Sequence, residues 1–223
     1  MNLSLPRPEL ATYLGRQLEA FFPDGAPPDG LEAGIGEALA RLETCFAHVA
    51  DPAFSREGRP YFNHLHSDQY AMFVYLISRV LYERGADRRT CEKLFCLNKA
   101  LYGIDAFFEV ELPAVFVFSH ATGTVLGRAT YGDFLLVYQH CTVGAARAAK
   151  GGGRGLYPVL GSHVSLYAGA TVVGACRIGD MCKISAHSLI LNRHLKPGLM
   201  YRGTPASHET APFPFPDNIW RSP

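Results

Sequence analysis

The chain has 223 residues, 48% of them apolar, a net charge of +1 and a sequence pI near 7.7. This composition fits a globular protein with one large or two small cores, and the near-neutral balance with scattered basic residues argues against nucleic acid as a partner. No apolar run approaches the roughly 20 residues of a membrane span, and the N-terminus lacks a charged-then-apolar leader, so no membrane partner and a cytoplasmic location by default are expected.

The N-terminal half reads as helices. Leu10, Leu14, Leu18 and Phe21 recur at helical spacing before Pro23-Asp24-Gly25, predicting an amphipathic helix with a defined stop. Leu31, Ile35, Leu39, Leu42, Phe46 and Val49 predict a second, after the turn-forming Pro27-Pro28-Asp29-Gly30. From about Ser67 to Glu83, Tyr70, Phe73, Val74, Ile77 and Leu81 make a segment apolar on more than one side, which predicts a helix buried between partners. Leu94, Leu97 and Leu101 mark a fourth helix that stops at Gly103.

From Val125 the texture changes to a period of six. Apolar residues stand at Val125, Tyr131, Val137 and Val143, then at Leu160, Leu166, Val172, Ile178, Ile184 and Ile190. That period is neither helical nor a plain strand, and it is the mark of a parallel β-helix whose coils have three short sides. The fifth residue of each repeat should also point inward at a crowded corner. Those residues are Ala129, Leu135, Cys141, Val164, Ala170, Cys176, Cys182 and Ser188, nearly all small or slim. The six cysteines include no C-x-x-C pair and read as small buried hydrophobes. Between Val143 and Leu160 the repeat breaks over 17 residues, and the glycine-rich stretch 145–157 must loop out from a corner.

The expected architecture is therefore α+β: a helical domain over 1–103, a parallel β-helix over 104–206 with one protruding loop, and an extended tail over 207–223. A β-helix cannot cap itself, because its end coil exposes inward side chains and unpaired edges, so the helical half is expected to cover one end. The proline-rich tail should run over the surface, with Trp220 as its anchor.

Ser119-His-Ala-Thr-Gly123, the run on to Gly127, the six-residue register, the glycine-rich loop and Arg202-Gly-Thr-Pro-Ala206 together resemble bacterial serine acetyltransferases of the hexapeptide-repeat acyltransferase superfamily. The likeness covers about 104–206 and extends weakly into the helical half. It implies a left-handed coil, homotrimers or dimers of trimers with sites between neighbouring β-helices, and transfer of an acetyl group from acetyl-CoA to a small hydroxyl compound, serine by family, as a step in cysteine biosynthesis. His120 matches the general base. A positioned imidazole that takes a hydroxyl proton as the new bond forms contributes about 10²–10⁴-fold.

A carboxylate should orient that imidazole, and the resemblance leaves two candidates. Glu111, in Phe108-Glu-Val-Glu-Leu-Pro113, matches by local pattern; Asp105 matches when no gap is allowed. On the acceptor side, Asp51 of Asp51-Pro-Ala53 corresponds to a family acid, while Ser119 replaces the acid before the histidine and Leu156-Tyr157 replaces an Arg-His pair. Losing those charged partners should weaken binding of an amino acid's charged ends. The matched acyl-CoA positions are Gly144, Ala168, Lys183 and Ala186. Arg147, Lys150 and Arg154 in the loop are either phosphate contacts or solvated charges. His64, His66 and Asp68 cluster at the start of the third helix and read as capping, with Ser67 or Asp68 as the cap.

The chain ends Trp220-Arg-Ser-Pro223 rather than in the family's docking isoleucine, so no sulfhydrylase complex is expected. No metal is expected either. The competing reading is a trimeric β-helix lyase of the zinc type, with His120, His140 and His163 as ligands at subunit boundaries; a scaffold without catalysis is a third.

Overall fold

A computed structural model describes residues 1–146, 156–213, 215 and 217–221 of the chain, and within them four α-helices precede a stack of parallel coils. Helix α1 (Arg7–Phe21) carries proline in its first turn, where the missing N–H costs nothing, and buries Leu10, Leu14 and Leu18. Phe21, expected on that stripe, is exposed. Helix α2 (Leu31–Phe46) buries Ile35, Leu39, Leu42 and Phe46. Helix α3 (Ser67–Glu83) is buried nearly all round, and α4 (Arg88–Tyr102) ends on Gly103 in the left-handed conformation, whose N–H donates to the Lys99 carbonyl at 2.9 Å. A small sheet of Asn2–Leu3, Arg59–Phe62 and Ser55–Arg56 joins them. Its strands are too short to leave a periodic trace in the sequence.

The coils have three faces. The first holds Thr130–Tyr131, Val159–Leu160, Arg177–Ile178 and His194–Leu195; the second holds Phe116–Ser119, Leu135–Tyr138, Ser165–Leu166, Lys183–Ile184 and Leu199–Thr204; the third holds Asp105–Ala106, Val125–Leu126, Thr142–Gly144, Thr171–Val173 and Leu189–Leu191. Each strand pairs in parallel with the equivalent one in the next coil, so Leu160 faces Ile178, Leu166 faces Ile184 and Val172 faces Ile190. Those six side chains are at most 3% exposed. Leu135, Cys141, Val164, Ala170, Cys176, Cys182 and Ser188 fill the corners beside them. Burial pushes the Cys141 thiol up to about 11, so it packs as an uncharged group.

One register needs correction. Val125 is 39% exposed whereas Leu126 is fully buried and pairs with Val143, so the first repeat starts one residue later than the six-residue count places it. Two adjacent aliphatics satisfy either register on paper, and the pairing with the next coil decides between them.

The stack tolerates little extra volume between coils. A Cβ on Gly132 would lie 2.5 Å from the carbonyl carbon of Gly161. Gly132→Ala is therefore expected to destabilise the protein by about 1–3 kcal/mol, since the contact is backbone and cannot swing away. Denaturant unfolding checks this, and an unchanged midpoint would mean that the coils are spaced more widely than described.

The helical half covers the first coil, as expected. Helix α3 lies between α2 and α4 and against Phe116–Ser119. The Tyr75 ring meets Phe116 edge to face at 5.9 Å; its hydroxyl donates to the Val110 carbonyl at 2.7 Å and accepts from the Leu112 N–H at 3.0 Å.

Ala146 and Leu156, which flank 147–155, form an isolated antiparallel bridge. The loop residues Arg147, Lys150 and Arg154 lie outside the described residues. The tail is not simply an extended surface segment: Ser207–Pro212 returns antiparallel to Leu199–Thr204 and closes the last coil as a hairpin. Further on, Trp220 is buried, pairs with Val49 after α2 and packs edge to face on Phe134 at 5.5 Å. No helix among the described residues is long and apolar enough to cross a membrane.

Candidate active site

Strands alternate inward and outward, so the inward line Phe118, Val137, Leu166, Ile184 and Tyr201 forces an outward line of Ser119, Tyr138, Tyr167, Ser185 and Arg202 on the second face. His120 follows Ser119 at the corner. It is exposed, adopts a left-handed backbone (φ 55°), and its ring centroid lies 6.1 Å from that of Tyr138. An open groove of about 510 Å³ runs from His120 past Tyr138 and Tyr167 to Ala168, Ala186 and Arg202. Three positions singled out from the sequence, His120, Ala168 and Ala186, thus share one cleft although up to 66 residues separate them. Small side chains at Ala168 and Ala186 leave the coil backbone approachable there.

The other sequence candidates lie differently. Lys183 is fully buried: its Nζ donates to Ser165 Oγ at 3.0 Å and to the Asp217 carboxylate. Ser165 also donates to Asp217, and the Tyr167 hydroxyl donates to it at 2.7 Å. Burial alone would raise the Asp217 carboxyl, but hydrogen bonds from Lys183, Ser165 and Tyr167 outweigh it and hold the group below the usual carboxylate range. Burial, with Asp217 beside it, pushes the Tyr167 phenol up. The ammonium expected to meet a phosphate is thus engaged by the tail. Gly144 sits on the third face, with open space where a Cβ would stand.

Neither acid proposed for the imidazole lines the groove. Glu111 is largely exposed and lies 3.7 Å from Arg79, among residues that line a different cavity; Asp105 pairs with Lys99 at 2.7 Å. The carboxylate that does reach the corner is Asp68, on the first turn of α3, which accepts the backbone N–H of His120 at 3.0 Å and of Ala121 at 2.6 Å. It does not cap its own helix; the N-cap residue is His66, without a side-chain cap bond. The reading of Asp68 as a cap is corrected accordingly. Sequence reasoning passed over its reach to the corner because the partner is backbone and leaves no residue pattern.

Asp51 caps a short 3₁₀ turn, accepting the Ala53 N–H at 2.8 Å, next to the point where the Ala50 N–H donates to the Ile219 carbonyl. Ser119 stands half-buried beside Tyr138, and Tyr157 is 39% exposed under the Arg128 guanidinium at 5.7 Å. His140 packs beneath Gly123 and His163 stacks on Phe134 at 4.2 Å. Among the described residues of one protomer, no three His, Cys, Asp or Glu side chains form a metal-binding group.

No family model matches the chain. Among curated proteins, the serine acetyltransferase of Mycobacterium tuberculosis (strain ATCC 25618 / H37Rv) is 29% identical over 157 residues, which cover 69% of this chain and 66% of that protein. The serine acetyltransferase of Helicobacter pylori (strain ATCC 700392 / 26695) is 29% identical over 124 residues, 55% of this chain and 70% of that protein. The matches thus span about two thirds of these relatives' lengths. Among solved structures, soybean serine acetyltransferase apoenzyme superposes with a TM-score of 0.69 at 23% identity, covering 93% of this chain and 84% of that one. Neisseria gonorrhoeae serine acetyltransferase in complex with serine gives 0.64 at 25% identity, covering 88% and 82%. In sequence the chain is similar to serine acetyltransferases, and in fold it is similar to their solved structures.

Proposed function

We propose that the protein is an acetyl-CoA-dependent O-acetyltransferase acting on serine or a similar small hydroxyl compound, with His120 as general base. The observation that carries this reading is the groove lined by His120, Ala168 and Ala186, which brings an imidazole and an approachable backbone into one cleft. In the reaction the imidazole takes the hydroxyl proton as the acceptor oxygen attacks the thioester carbonyl. Collapse of the tetrahedral intermediate breaks the C–S bond, and the imidazolium returns its proton to the departing thiolate. Solved relatives include a serine complex and a CoA complex.

With Lys183 held by Asp217, Arg202 is the cation that lines the groove and suits a phosphate of the acyl donor. The groove is open along the second face, and a left-handed coil packed against its neighbours in a trimer would place an adjoining subunit over it. Asp105 and Glu111, paired with Lys99 and Arg79 away from the groove, are not assigned to orient the imidazole.

Serine is the acceptor by likeness. Ser119 and Tyr157, standing where charged groups would grip the ends of an amino acid, favour a second reading in which a less charged hydroxyl compound takes the acetyl group. Thiol release from acetyl-CoA, measured against hydroxylated amino acids and sugars, separates the two. Serine turnover well above background is expected on the first reading and sugar turnover on the second; release with neither would overturn both.

A further inference from the structure

The segment that carries His120 is fastened to the helical half at both ends. Asp68 accepts two successive N–H groups, from His120 at 3.0 Å and Ala121 at 2.6 Å, and the Gly123 N–H donates to the Tyr102 carbonyl of α4 at 3.0 Å. His120, whose N–H is part of the first tie, holds φ at 55°, the left-handed conformation that His140, His163 and His187 adopt in later coils. Strand Phe116–Ser119 fixes the chain on one side of the corner only, so the direction in which the imidazole leaves the backbone depends on what holds the next two peptides.

We propose that Asp68 is a positioning residue for His120: its carboxylate, presented by the first turn of a fully packed helix, sets the backbone from which the imidazole reaches the acceptor. The inference rests on His120 being the general base. The carboxylate does not touch the reacting atoms. It is suited to the task because two acceptor oxygens match two adjacent donors, whereas a neutral cap would satisfy one. It also makes α3 part of the site, linking the buried interior of the helical half to the rim of the β-helix.

The test compares Asp68→Ala and Asp68→Asn in the full-length protein. Asp68→Ala is expected to speed amide exchange at His120 and Ala121 at least tenfold. It should lower kcat roughly 100-fold, the scale of a small misplacement of a catalytic group, while the dissociation constant for CoA stays within twofold. Asp68→Asn keeps the volume and one acceptor and should fall between; it carries the test if the alanine variant does not fold. In a His120→Asn background, Asp68→Ala should cause no further loss. Unchanged kcat despite faster exchange, or an equal loss without the imidazole, would overturn the proposal. A wild-type protein that releases no thiol would sink the acetyl-transfer reading as well, whereas an active wild type indifferent to Asp68 sinks this inference alone.

Discussion

Replacing His120 by asparagine is expected to slow acetyl transfer by about 10²–10⁴-fold, the range a positioned general base supplies. Asparagine is the informative choice because it adopts left-handed backbone more readily than alanine and cannot take up the proton. The His120 ring is exposed and contributes nothing to the packed interior, so the unfolding midpoint should stay where it is. CoA binding should also survive, since Ala168, Ala186 and Arg202 still line the groove. Rates with saturating acetyl-CoA and acceptor check the first statement, and calorimetry with CoA checks the second. Near wild-type turnover in the variant would remove the imidazole from the mechanism.

Asp217→Ala should have the largest effect on stability. It would leave the Lys183 ammonium at 0% exposure with only the Ser165 hydroxyl as a partner. Removing one member of a buried ion pair costs about 3–5 kcal/mol, because the other charge keeps its desolvation penalty and loses its compensation. Replacing both, as Lys183→Met with Asp217→Leu, should return the protein to near wild-type stability or above it, since an apolar pair carries no such penalty. The pH dependence follows from the same group. Asp217 titrates lower in the folded chain than in the unfolded one, so its contribution is fully present above the unfolded value of about 3.9 and fades as the pH falls through the folded value. Urea unfolding of the single and double variants, with the wild type followed below pH 4, tests both statements. A single variant as stable as the wild type would show that water reaches Lys183.

What was legible in the sequence follows from how many residues enforce each feature. The coil period is written by Leu160, Leu166, Val172, Ile178, Ile184 and Ile190 in succession, and each must point inward for the next to do so. Ala168 and Ala186 were legible through the resemblance rather than through the coil period, and the structure brings both to the groove. Lys183 was legible as a position but not as a state: nothing in the repeat indicates that a residue 34 positions later will neutralise it. Asp68 was visible as an unusual acid at a helix start, yet its partners are the peptide groups of His120 and Ala121, 52 and 53 residues away, and a backbone donor has no letter. The offset at Val125 has a related origin, since Leu126 is as good a core residue and only the neighbouring strand chooses.

The route of the chain's last described residues bears on how the molecule comes apart. After the final hairpin it runs back along the outside of the second face, and Arg221 donates from its backbone to the His48 carbonyl and from its guanidinium to the Val49 carbonyl, across 172 positions in the latter case. A stack of nearest-neighbour repeats can fray one layer at a time from a free end. Here the free end is belted to the opposite pole, so loosening the outermost layer means unfastening the belt from the helices too, and melting is converted from stepwise peeling into a single concerted event.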